Sequence, residues 1–190
     1  MASFDESSFR FAFGGSWVHV VRWDESIEYR HGIQRVQGEL DDHREGTKAA
    51  DFIAVRDGAL WMFEVKDFRN RLADWQERRR TLALEVALKV RDTLAGVVAL
   101  HRQDGAASWS RDAVRCLAST TAPTVVAVIA KPAEVRESLP SRKLGTHEAE
   151  LRKRSAGMLR WLTRKVLLVD PAVSNEVERV PDLAVSALPQ

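Results

Sequence analysis

The sequence predicts an α/β fold, a mixed central β-sheet flanked by helices, and three observations carry that expectation. Two hairpin-like segments rich in β-branched and aromatic residues open the chain. A long proline-free stretch of helical periodicity follows them. Short apolar runs at Thr124 to Ala130 and Val166 to Val169 then alternate with further helical segments, the order expected of a sheet with helices packed on its faces.

Taken in order, Phe9 to Phe13 and Trp17 to Trp23 read as two strands joined at Gly14-Gly15, because a glycine pair supplies the positive φ of a tight hairpin. Asp24 to Gln37 carries Ile27, Ile33 and Val36 on part of a helical face and reads as a short helix, followed by a polar loop to Thr47. Asp51 to Val55 and Leu60 to Lys66 flank Asp57-Gly58, a strong two-residue hairpin signal. From Leu72 to His101, Leu82, Val86, Val90, Leu94 and Val97 recur near the 3.6 period, which predicts one long helix open to a break near Thr81. A second helix over Ser110 to Ala118 stops before Pro123, and the unbroken apolar run Thr124 to Ala130 predicts an internal strand. Thr146 is the expected N-cap of a third helix reaching Arg164. Val166 to Val169 forms the last strand before Asp170-Pro171, and the remainder is expected to be an irregular wrap. The expected organisation is one domain over 1–180 with a C-terminal tail at 181–190.

Composition narrows the function classes. With 190 residues, 45% hydrophobic and 29% charged, the chain suits one compact domain rather than a disordered or fibrous protein. Its apolar runs fall far short of the roughly 18 residues of a membrane span, and Met1-Ala2-Ser3-Phe4-Asp5-Glu6 lacks the basic and apolar regions of a signal peptide, so a cytoplasmic protein is expected. The one cysteine, Cys116, cannot form an internal disulfide and reads as a buried filler. A net charge of +2 supplies no strong field toward a polyanion, so any nucleic-acid contact must be local. Arg69, Arg71, Arg78, Arg79 and Arg80 crowd into twelve residues and are the candidate phosphate-contacting stripe; a solvated helix face is the bland alternative.

Strand alternation sharpens the chemistry. Leu60, Met62, Glu64 and Lys66 share one face of their strand, and Trp61, Phe63 and Val65 share the other. A symmetric turn about Asp57-Gly58 pairs Val55 with Leu60, Ile53 with Met62 and Asp51 with Glu64, which brings two carboxylates side by side. Opposed like charges destabilise a sheet. A hard divalent cation is the natural compensation, since Mg²⁺ takes one or two carboxylates and keeps several waters. Lys66 on the same face would stabilise charge developing on a phosphate. Ordinary strand-end residues with a surface ion pair are the alternative, but both faces of the hairpin are otherwise apolar, so these charges are expected to be partly desolvated.

Asp51, twelve intervening residues and then Glu64-Val65-Lys66 resemble the PD-(D/E)XK motif of restriction-endonuclease-like nucleases. The resemblance covers roughly the first half of the chain. It implies a restriction-endonuclease-like core in which Asp51 and Glu64 hold the catalytic Mg²⁺ or Mn²⁺ and Lys66 assists phosphodiester hydrolysis. Ala50 stands where the motif name implies proline. An additional upstream acid is common in the superfamily, and Asp24, Glu28 and Glu39 compete for that place, Glu28 being best placed if Asp24 to Gln37 is helical.

Three further sets were weighed. Glu85, Lys89 and Asp92 share a helical face and could line the cleft, although a solvent-facing ion-pair ladder is the commoner origin of such spacing. Trp75, Trp109 and Trp161 could stack on bases or fill core. The histidines show no zinc-site spacing, and no P-loop, nucleophile elbow or dinucleotide fingerprint occurs. The expected function is a metal-dependent nuclease acting on nucleic acid, with DNA the expected substrate by resemblance only. A catalytically inactive nuclease-fold subunit, serving nucleic-acid binding or assembly in a repair or defence complex, is the alternative. Expected partners are nucleic acid and either a second copy of the chain or an ATPase, helicase or sensor subunit.

Overall fold

A computed structural model describes residues 1–30, 48–103, 106–138 and 141–189. The architecture is mixed α/β with two sheets. A three-stranded antiparallel sheet has the order β1 (Ala2–Glu6), β2 (Phe9–Phe13), β8 (Leu183–Ala187). A five-stranded sheet has the order β3 (His19–Arg22), β4 (Phe52–Arg56), β5 (Ala59–Asp67), β6 (Thr124–Ala130), β7 (Lys165–Val169). Its first three strands run antiparallel and its last three parallel.

Parallel neighbours need long crossovers, and the helices supply them. Between β5 and β6 lie α1 (Leu72–Arg78), α2 (Leu82–His101) and α3 (Ser108–Ala118). Between β6 and β7 lie α4 (Ala133–Ser138) and α5 (Ser141–Met158), and α6 (Ser174–Val177) precedes β8. The long helical stretch does break, at residues 79–81.

The two faces of the five-stranded sheet are covered by different partners. Ile53, Val55, Leu60, Met62, Val125, Ala127 and Ile129 pack against the apolar stripe Leu82, Val86, Val90 and Val97 of α2 and against Ala113 and Cys116 of α3. On the other face Phe52, Phe63, Val65 and Val126 pack against Phe9, Phe11, Phe13 and Leu183 of the small sheet. Phe52 lies 5.3 Å from Phe11, and Phe63 meets Phe13 edge-on at 5.5 Å, the geometry aromatic quadrupoles favour. Each such buried ring contributes roughly 1.5–3 kcal/mol. The predicted double coverage therefore holds, and β6 is buried along its whole length as expected of an internal strand.

The β4–β5 hairpin has the predicted register, with Val55 opposite Leu60 and Ile53 opposite Met62. Asp57 and Gly58 both take positive φ, 50° and 69°, which matches the right-handed twist of the flanking strands.

Four expectations are corrected. Gly14-Gly15 does not close a hairpin: β2 pairs with β1 through a turn at Ser7 and with β8, while β3 joins the other sheet. Neither glycine has positive φ. Gly14 is needed for close approach instead, since a Cβ there would fall 1.9 Å from the Asp182 carboxylate, which is itself fixed by Ser16. Thr146 is not a cap, because α5 already begins at Ser141, and that helix ends at Met158 rather than at Arg164. The residues after Pro181 are not an irregular tail but contain β8. The helix expected over Asp24 to Gln37 lies, beyond Arg30, outside the described residues.

Among the described residues no helix is long and apolar enough to cross a membrane.

Candidate functional site

Asp51 stands immediately before β4, and its backbone is pinned from two sides. Its N–H donates to the Phe63 carbonyl at 3.0 Å, and its own carbonyl accepts from Trp23 N–H at 3.0 Å. Next to it, Ala50 N–H donates to Thr93 Oγ1 of α2 at 2.8 Å. The β4–β5 ladder ends at Phe52 opposite Phe63, so one further step brings Asp51 level with Glu64. Asp51 Oδ2 then accepts the Val65 N–H at 2.5 Å, extending the ladder with a side chain in place of a carbonyl.

Glu64 and Lys66 lie on the helix-covered face of β5, in the same row as Leu60 and Met62. Alternation put them there. Helix α2 packs over that row and lowers Lys89 into it. Lys89 Nζ lies 2.8 Å from Glu64 Oε1 and 3.3 Å from Asp51 Oδ1, while Lys66 Nζ lies 2.9 Å from Glu64 Oε1. One turn earlier on α2, Glu85 faces Lys66 Nζ at 4.0 Å and accepts from Arg78 at 2.5 Å and from Thr81 Oγ1 at 3.1 Å. Asp51, Glu64, Lys66, Lys89 and Glu85 thus form one charged row between sheet and helix.

Burial makes this row costly. Asp51 is 5% exposed and Glu64 2%. Both Glu64 oxygens lack a hydrogen-bond donor among the described residues. Oε1 does sit within ion-pair distance of two ammonium groups, but off the direction a hydrogen bond needs. Oε1 is therefore ion-paired rather than hydrogen-bonded, since an ion pair tolerates poor angles and a hydrogen bond does not.

The electrostatics follow. Burial, and then the charge of Glu64, push the Asp51 carboxyl up to about 7 against the opposing pull of Lys89 and the Val65 N–H. Burial disfavours the Lys89 ammonium, yet Glu64 and Asp51 outweigh it and the group titrates above its ordinary value. Both partners of the Asp51–Lys89 contact move upward, Asp51 through burial and the Glu64 charge, Lys89 through the charges of Glu64 and Asp51. Burial also raises Glu85, but the Arg78 hydrogen bond and charge and the Lys66 charge prevail and hold it below its ordinary value.

Of the two upstream acids that are described, Asp24 and Glu28, Asp24 is the one near the row. Burial, then Asp51 and Glu6, push it up to about 6, and its Oδ1 is buried without a hydrogen-bond partner among the described residues. Glu28 is exposed, and Glu39 lies outside the described residues. An open cleft lined by Asp24, Tyr29, Arg30, Lys48, Ala49 and Lys89 leads from solvent to this side of the row.

The five arginines do not line up as a single stripe. Arg69 turns toward the small sheet, where it pairs with Asp67 at 2.9 Å and lies over the Phe9 ring at 4.1 Å. Arg71 binds the Asp67 carbonyl and faces Asp74 at 3.5 Å, and Arg78 belongs to Glu85. Arg79 and Arg80 are exposed. Among the tryptophans, Trp75 and Trp109 pack into or against the core and Trp161 is exposed.

Reading the sequence alone favoured a solvent ladder for Glu85, Lys89 and Asp92. That preference is corrected for the first two, which face the row; Asp92 accepts from Lys48 N–H and pairs with exposed Arg91. The available signal was the i, i+4 spacing of Glu85 and Lys89 on a helix following the hairpin, and it did not reveal which side faced the sheet.

Among the described residues no group of three or more His, Cys, Asp or Glu side chains is arranged to hold a metal ion. Comparison of the chain with protein-family models, curated proteins and solved structures finds no match.

Proposed function

We propose that this protein is a metal-dependent nuclease of restriction-endonuclease-like architecture that hydrolyses phosphodiester bonds in nucleic acid, DNA by resemblance. One observation carries the reading: two buried carboxylates and two lysines converge at the end of the hairpin, although a buried ion-pair cluster stabilises a fold poorly. Perturbed, desolvated groups concentrated beside a cleft are characteristic of working sites.

The donor set fits a hard divalent cation. Asp51 Oδ1 and Glu64 Oε1 face one point, now taken by the Lys89 ammonium, and Glu64 Oε2 is a buried acceptor with no donor among the described residues. Asp51 and Glu64 would hold Mg²⁺ or Mn²⁺. The ion would polarise a phosphoryl oxygen and lower the pKa of a bound water. The chain's own groups do the rest. Val65 N–H fixes the rotamer of Asp51, and Glu85, tied to Arg78 and Thr81, positions Lys66. Lys66, paired with Glu64 at 2.9 Å, stabilises charge on the phosphate.

The test is incubation with duplex DNA, single-stranded DNA and RNA over a range of Mg²⁺ and Mn²⁺. Cleavage is expected with wild type and is expected to drop at least about a hundredfold in Asp51→Asn, Glu64→Gln and Lys66→Ala. Cleavage that survives EDTA, or persists in Lys66→Ala, overturns the assignment.

A second reading has its own support. Lys89 Nζ bridges the two carboxylates where the ion would sit, which suits a catalytically inactive nuclease-fold subunit whose charge is balanced internally. Calorimetric titration of wild type and Asp51→Ala with Mn²⁺ separates the two. Heat lost in the variant supports the enzyme, and no heat in either supports the inactive subunit.

A further inference from the structure

A separate cavity of about 410 Å³ lies on the same face of the five-stranded sheet, at the carboxyl ends of parallel strands β6 and β7. Ligands of open α/β sheets bind in that position, and the volume falls within the range of small-molecule sites. Its floor is polar and sealed. Lys131, one residue past β6, is 7% exposed, and Asp170, one residue past β7, is 2% exposed.

The floor is incompletely satisfied. Lys131 is engaged by Glu148. Asp170 Oδ1 accepts from Ala172 N–H at 3.1 Å and faces Arg136 at 3.7 Å. Asp170 Oδ2 is buried with no hydrogen-bond donor among the described residues; Lys131 Nζ lies 3.8 Å from it, beyond hydrogen-bond reach. A buried carboxylate oxygen left in this state is destabilising unless a ligand or water supplies the donor.

The walls and rim define what that ligand carries. Trp75, Leu151 and Leu168 form an apolar wall suited to a flat ring. Arg79, Arg80 and Arg154 stand exposed around the cavity with no carboxylate partner among the described residues; Glu150 is exposed beside them, and the half-buried Glu148 and Glu176 also line it. Unpaired guanidiniums are the groups best matched to a phosphate. A ring, hydroxyl or amino donors for Asp170 and a terminal phosphate together describe one chemical class.

We propose that this cavity binds a nucleoside 5′-phosphate, with the base against Trp75, a sugar hydroxyl or base amino group donating to Asp170 Oδ2, and the phosphate at Arg79, Arg80 and Arg154. The inference is independent of cleavage at the charged row.

Calorimetric titration in EDTA, where no metal-dependent cleavage occurs, tests it with 5′-AMP, 5′-dTMP, adenosine, ribose 5-phosphate and inorganic phosphate. Mononucleotide is expected to bind with sub-millimolar Kd, at least about tenfold more tightly than adenosine or inorganic phosphate. Asp170→Asn, which turns an acceptor into a donor, is expected to weaken it tenfold or more. Arg154→Glu, at an exposed position that leaves packing intact, is expected to weaken it severalfold and flatten its salt dependence. A 5′-phosphorylated single-stranded oligonucleotide distinguishes the source: tighter binding of the mononucleotide marks a free-nucleotide site, tighter binding of the oligonucleotide a strand-end site. Equal binding of inorganic phosphate, absence of binding at millimolar mononucleotide, or unchanged affinity in Arg154→Glu overturns the proposal.

Discussion

Asp51 couples the folded state to pH. Its carboxyl titrates at about 7 in the folded chain against 3.8 ordinarily, so the native state holds a proton that the unfolded state releases earlier. The associated stability is fully present below about pH 4 and is lost as pH rises through about 7. In EDTA, the melting temperature of wild type is expected to fall between about pH 5 and pH 8, and Asp51→Asn is expected to flatten that slope. A slope unchanged in the variant would place the titration elsewhere. Lys89 compensates the buried carboxylates: Lys89→Met leaves Asp51 and Glu64 buried with less compensation and is expected to cost about 3–5 kcal/mol in the metal-free protein. If the carboxylates form a cation site, added Mn²⁺ recovers more of the melting temperature in Lys89→Met than in wild type, as differential scanning fluorimetry would reveal.

At the scale of elements, what the sequence disclosed depended on whether the determining contact was local. The β4–β5 hairpin was legible because Asp57-Gly58 dictates its turn and period-2 alternation its faces, so the proximity of Asp51, Glu64 and Lys66 followed from arithmetic. Lys89 was visible only as helical spacing, since the rotation of α2 over the sheet is set by packing of Leu82, Val86 and Val90. Gly14 misled for a similar reason. Its requirement comes from Asp182, at the far end of the chain, and no local pattern announces such a neighbour. Gly14→Ala is therefore expected to destabilise the protein by about 1–3 kcal/mol through displacement of the Asp182 carboxylate, whereas Gly15→Ala, with open space around its Cβ, is expected to be near neutral in urea unfolding.

For the molecule as a whole, the small sheet is the cover of one entire face. β8 supplies an edge of that sheet and Leu183 to its core. A chain ending at Val180 is expected to expose the β2 edge and part of the Phe9, Phe11 and Phe13 cluster, to bind a hydrophobic dye such as ANS, and to lose several degrees of melting temperature. Retention of the wild-type melting temperature would mean that β1 and β2 cover the face unaided.

The pairing of Phe9 with Ala187 and of Phe13 with Leu183 joins strands from opposite ends of the sequence. Closing so wide a loop is entropically expensive and slow, and it must await the synthesis of β8. Until β8 is made, the Phe9, Phe11 and Phe13 cluster lacks part of its cover, so the aromatic face is exposed for as long as the rest of the fold waits on that strand.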